Sequence, residues 1–218
     1  MAILFFLELL FLFFISQKTT QSISHFLYKI TRSQKITIFF LAFLFLPGTI
    51  IHEFSHAIAA SITGVRIGKM ELMPEYVQGG LRLGSIQVGR ADIIRNFFIG
   101  IAPFISGTIL LLTIMYLVLS FSFFASFGII VLSLYLVFVI ANTMFSSKKD
   151  MEGAIEFFIL IAVFLLAFYL LGLRLDTINW NFLSIFNHIF KIGSYYLLVP
   201  LGIDLFIITL TTLLFRSR

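Results

Sequence analysis

Residues 36–63 read ITIFFLAFLFLPGTIIHEFSHAIAASIT, a nearly unbroken apolar run with His52, Glu53 and His56 in its second half. A helix of about 20 apolar residues crosses the hydrocarbon core of a bilayer. Lipid offers no partner to backbone N–H and C=O groups, so such a run must be helical. An ionisable group at the centre of a span costs on the order of 2.5–3.5 kcal/mol on insertion scales, so three of them in one span imply an inward-facing, polar task.

The rest of the chain agrees. Hydrophobic residues make up 60% of it and charged residues 11%, against about a quarter charged in soluble domains. The fold class expected is an all-α polytopic membrane protein of about six transmembrane helices, with a small β-hairpin insertion after the second. One integral membrane domain covers residues 1–218. The formal charge of +5 is spread over loops, which fits membrane topology and not the clustered basic face of nucleic-acid binding. There is no cysteine, so any metal must use His, Asp or Glu.

In chain order, residues 1–16 form a first apolar run that continues toward Thr20, with Glu8 facing the bundle interior. Residues 17–35 are polar and basic, with an interfacial helix in SISHFLYKI. The second span, 36–63, has Pro47 upstream of His52 and stops at Gly64. Residues 65–90 alternate apolar and polar but slip phase at Gly68 and Gly84, which predicts two bulged strands paired around Gly79 and Gly80. That hairpin serves either as a structural cap or as an edge for an extended peptide. The third span is 93–120, where Gly100, Ala102, Ser106 and Gly107 allow close approach to the motif helix. The fourth is 121–145, the fifth 155–173 and the sixth lies within 182–215, after an interfacial loop with Trp180. Lys and Arg favour the hairpin side, which makes that side cytoplasmic in a cell membrane.

His52-Glu53-Phe54-Ser55-His56 is an H-E-x-x-H pattern. On a helix, residues four apart share a face, so both imidazoles can meet one ion. Two neutral imidazoles suit zinc, and the adjacent carboxylate can take a proton from a water. A third ligand is needed. Asp150, after the polar break at Ser146–Lys149, is the strongest candidate; Glu152 and Glu156 come next, and His188 is also available. Asp204 reads as a polar residue bonded to neighbouring helices.

With these residues in view, the chain resembles the site-2 protease family of intramembrane zinc metalloproteases. That family pairs H-E-x-x-H in one span with an N-x-x-P-x-x-x-x-D-G type motif in a later one. Asn142 stands eight residues before Asp150, the family's spacing, and IGIAPFISG resembles the family's small-residue region of the next core span. Phe145 stands in place of the motif proline, and Asp150 is followed by Met151, Glu152 and Gly153. The resemblance implies zinc held by His52, His56 and Asp150, Glu53 as general base, Asn142 as a substrate-binding residue, and a catalytic core at 36–153 with peripheral spans at 1–35 and 154–218. It also implies peptide-bond hydrolysis in transmembrane protein substrates within the lipid bilayer. A non-proteolytic membrane protein, such as a transporter or an inactive metal-binding relative, is the alternative.

Overall fold

Backbone groups that cross lipid must be paired within their own segment, and the chain meets this with long helices. The computed structural model describes residues 1–71, 75–77, 80–82, 84–89, 91–120, 126–145, 159–164, 166–171 and 180–216. The helices are α1 (Ala2–Thr31), α2 (Gln34–Ile62), α3 (Ile93–Ser120), α4 (Phe127–Thr143), α5 (Ile159–Leu170) and α6 (Trp180–Arg216). Between α2 and α3 lie strands β1 (Ile67–Glu71), β2 (Glu75–Val77), β3 (Gly80–Arg82) and β4 (Ser85–Val88).

Among the described residues, α1, α2, α3 and α6 are long and apolar enough to span a membrane, which makes this an integral membrane protein. Of the six spans expected, these four are long enough among the described residues; α4 and α5 are apolar but shorter there. The first helix also differs from expectation. It does not end near Thr20 but continues to Thr31. Its hydroxyl residues fold back onto their own helix, Ser16 onto the Phe13 carbonyl and Thr19 and Thr20 onto Ile15 and Ser16. Those bonds satisfy the polar groups locally, so polarity alone does not break the helix. The turn comes at Arg32, in the left-handed region at φ 50°. Similarly, α6 begins at Trp180, where a loop was expected.

The end of α2 follows from Gly64. At φ 72° it adopts a backbone conformation that L side chains disfavour. Its N–H donates to the Ser61 carbonyl, and the N–H of Val65 reaches back to Ala60, the two bonds of a Schellman cap. Val65 and Ala60 then pack with Ile99 of α3. The chain enters the sheet directly. Strand β1 pairs antiparallel with β4, Glu71 opposite Ser85 and Met70 opposite Ile86, with a register shift between Ile67 and Met70 next to Gly68. Strands β2 and β3 pair around Val77 and Gly80. The hairpin is therefore real, but it is built from two short strand pairs rather than one continuous pair.

The C-terminal half of helix α4 lies at the centre of the bundle, with Val137, Phe138, Val139, Ile140, Ala141, Asn142 and Thr143 all buried, while Phe127, Val131 and Leu132 of its first half are exposed. Seven consecutive buried positions cannot come from one helix face, so neighbours surround it. Phe45 of α2 stacks against Phe138 with ring centroids 5.9 Å apart, and the Tyr135 hydroxyl donates to the Leu44 carbonyl at 2.8 Å. Gly48 of α2 is so close to α4 that a β-carbon there would strike the Thr143 hydroxyl and sit 2.7 Å from the Val139 carbonyl oxygen. Gly107 of α3 meets Met144 in the same manner. On the far side, Gly193 of α6 admits the Phe5 ring of α1, and Ser194 donates to the Glu8 carboxylate at 2.5 Å. Glu8 thus faces its neighbours in the bundle, as the sequence implies.

Overpacking at such contacts costs about 1–3 kcal/mol. Gly48→Leu is therefore expected to lower the thermal midpoint in detergent by several degrees. Gly202→Ala, at an exposed helical position with nothing within 4 Å of the added carbon, should leave it unchanged or raise it. Circular dichroism melting checks both.

Candidate metal centre

Helix α2 carries His52, Glu53 and His56 on its inward side, with exposures of 3%, 4% and 9%. The two imidazoles lie edge to face, centroids 4.9 Å apart at 85°, as expected for positions one turn apart.

What aims His56 is a backbone carbonyl of α3. Its Nδ1 lies 2.8 Å from the Ile99 carbonyl oxygen. A carbonyl only accepts, so Nδ1 carries the proton and Nε2 carries the lone pair. The Ile99 carbonyl is available for a simple reason. In an unbroken helix it would accept from the N–H four residues on, and that residue is Pro103, which has none. Beside this bond the Ser55 hydroxyl donates to the Ile51 carbonyl, and the Ser106 hydroxyl lies 2.5 Å from it, joining α2 to α3. Ser106 thus makes the close approach to the motif helix that its small size implies, whereas Gly107 serves α4. The start of α3 is set by Asp92, whose carboxylate accepts from the Arg95 N–H at 2.8 Å.

Glu53 is covered by the sheet. A β-carbon at Gly84, just before β4, would lie 3.1 Å from its Oε1 and 2.7 Å from the Thr49 methyl. The backbone entering β4 therefore forms one wall around this carboxylate. Gly84 reads in the sequence as a bulge, and its contact with Glu53 could not be found there because it is tertiary. The Pro103–Ile99 offset is visible in the sequence, but its pairing with His56 is not.

Asn142 sits on α4. Its amide donates to the Phe138 carbonyl at 2.9 Å and to the Asp204 carboxylate of α6 at 2.8 Å. Asp204 is thus bonded to a neighbouring helix, as expected. Asp150, Glu152 and Glu156 lie outside the described residues. Among the described residues no three His, Asp or Glu side chains are gathered in a way that would hold a metal ion, and Asp204 does not join the histidines. His25 and His188 are exposed and stand apart.

The donors present nonetheless fit zinc. The pair is hard-to-borderline nitrogen with no thiolate, and the backbone bond to His56 is the outer contact that fixes tautomer and ring orientation in metal-binding histidines. His52 and His56 would supply two ligands, with a third from outside this pair.

A family model described as Peptidase M50B-like matches residues 40–206 of the 218. Comparison with curated proteins and with solved structures finds no match.

Two substitutions test this arrangement. Pro103→Ala restores a donor that competes for the Ile99 carbonyl, so zinc affinity is expected to fall about tenfold, the scale of losing an outer contact; chelator competition measures it. Gly84→Val drives a side chain into Glu53 and Thr49. It should leave zinc content near wild type while increasing protease accessibility of the sheet in limited proteolysis.

Proposed function

The chain belongs to the Peptidase M50B-like family, of site-2 protease type, and on that premise we propose that it is a zinc-dependent intramembrane endopeptidase acting on transmembrane segments of other proteins in the cell membrane. The observation that carries the reading is the H-E-x-x-H motif buried within a membrane-spanning helix, with His56 oriented by the Ile99 carbonyl. His52 and His56 are its histidine ligands and Asp150 its third. The catalytic core is 36–153; the family match, which runs on to residue 206, supports including α6 in the working unit.

Bound there, zinc supplies Lewis acidity toward a water and toward the scissile carbonyl. Glu53 takes the proton of the attacking water at its carboxylate and returns it to the departing amine. Its burial under Gly84 keeps bulk solvent away, so the proton stays with the reacting groups. The substrate must be unwound locally, because a helical peptide bond is shielded by its own hydrogen bonds. Strand β4, which starts against Glu53, supports a role in aligning the unwound segment by edge pairing.

Depth is consistent with this. His52 lies ten residues before Ile62, about 15 Å along the axis at 1.5 Å per residue. The bond cut would lie inside the membrane but nearer the hairpin face, which we place on the cytoplasmic side.

The purified full chain tests the reading. Wild type should carry about one zinc and cleave a single-span reporter in detergent, and chelation should abolish cleavage. Glu53→Gln should keep the zinc and lose activity by at least about a hundredfold, the lower scale of general acid–base catalysis. His56→Ala and Asp150→Ala should both lose zinc. A fully active Glu53→Gln protein would sink the mechanism, and zinc retained in Asp150→Ala would displace that residue as ligand.

A further inference from the structure

Asn142 and Asp204 make a polar contact in the interior of a membrane protein, with exposures of 6% and 0%. The Asn142 amide has two N–H donors, and both are in use, toward the Phe138 carbonyl and Asp204 Oδ1. Turning the amide over would set its oxygen against two acceptors. Its orientation is therefore determined by chemistry, and Asp204 is what determines it from the α6 side. The consequence falls on the other atom. Asn142 Oδ1 is buried and has no donor among the described residues. A buried acceptor left without a donor is costly, and a protein that keeps one requires an explanation.

The location supplies it. Thr143, the next residue, touches Gly48, one helical turn before His52. The unpaired acceptor therefore lies at about the depth of the metal motif, on the helix that leads into the segment bearing Asp150. A locally unwound substrate brings bare backbone N–H groups to that depth. The family match extends just past Asp204, so the pair lies within the matched region.

We propose that Asp204 is a positioning residue: it locks the Asn142 side chain so that Oδ1 accepts a hydrogen bond from a backbone N–H of the unwound substrate. This rests on the proteolytic reading and on the substrate-binding role that the family resemblance implies for Asn142; what it adds is Asp204, acting only through Asn142. Thr19 of α1 faces the same carboxyl, whose other oxygen, Oδ2, is also buried without a hydrogen-bond partner among the described residues.

The probe is a synthetic single-span peptide of about 20 apolar residues with a central Gly-Pro pair, made also as a series in which one backbone amide at a time is replaced by an ester. Each ester removes one N–H donor. With wild type, one ester position is expected to raise KM about three- to tenfold with little change in kcat, the scale of one hydrogen bond. With Asn142→Ala and with Asp204→Leu, amide and ester forms at that position should agree within about twofold, with zinc content unchanged. Asp204→Asn, which keeps an acceptor oxygen, should restore most of the ester sensitivity. The same pattern should appear in peptide binding to Glu53→Gln protein, where no turnover occurs. Should Asp204→Leu fail to fold, Asp204→Ala is read in its place. Wild type that cleaves the peptides with no ester-sensitive position overturns this proposal alone, as does sensitivity that persists in Asp204→Leu. Wild type that cleaves none of them overturns the proteolytic reading, and this one with it.

Discussion

Within lipid, every polar group must be satisfied from inside the protein, and in this chain one missing N–H governs the site. Pro103 cannot donate to Ile99, so the Ile99 carbonyl is available to the imidazole of His56. A helix that would otherwise be self-sufficient thereby lends an acceptor to its neighbour. The bond fixes which nitrogen of His56 can bind a metal and ties α2 to α3 at the same point. Ser55 and Ser106 reinforce the junction. Other polar contacts hold the rest of the bundle: Tyr135 of α4 donates to the Leu44 carbonyl of α2, Gly64 closes α2, and Asp92 opens α3.

Close packing does the remaining positioning. Glycines at 48, 107 and 193 each bring two helices nearer than a side chain would allow. Because Gly48 and Thr143 meet one turn before His52, the end of α4 is held beside the motif. The strand pair β1–β4 is anchored where Val88, Val65, Ala60 and Ile99 cluster, and this brings Gly84 over Glu53. Thus the general base proposed here is enclosed by a helix on one side and a sheet on the other.

The sequence revealed some of this and concealed some. The motif, the span that carries it, the limits of α3 and the Gly64 stop follow from local chemistry: ionisable groups in an apolar run, hydropathy and a left-handed glycine. The continuation of α1 past Thr20 did not, because hydroxyl groups that bond their own helix look like loop residues in a linear reading. The partner of His56 lies 43 residues away and Asp204 lies 62 from Asn142, and no periodic pattern links such pairs. The expected role of Asp204 as a residue bonded to another helix matches its bond to Asn142, although its particular partner could not be named from spacing. Asp150 falls outside the described residues, so its place as third ligand rests on the motif and the family.

The length of α4 has a consequence for the surrounding lipid. Its 17 residues run about 25 Å, between an extended Ser126 and the turn at Met144. A typical hydrocarbon core is about 30 Å thick, and a span that falls short of this is accommodated partly by thinning of the bilayer around it. Lipid meets α4 along its first half, where Phe127, Val131 and Leu132 are exposed, while positions 137–143 are buried among the longer helices. Acyl-chain length then becomes a variable that reaches the motif through the seating of α4 and not through the residues that line the site.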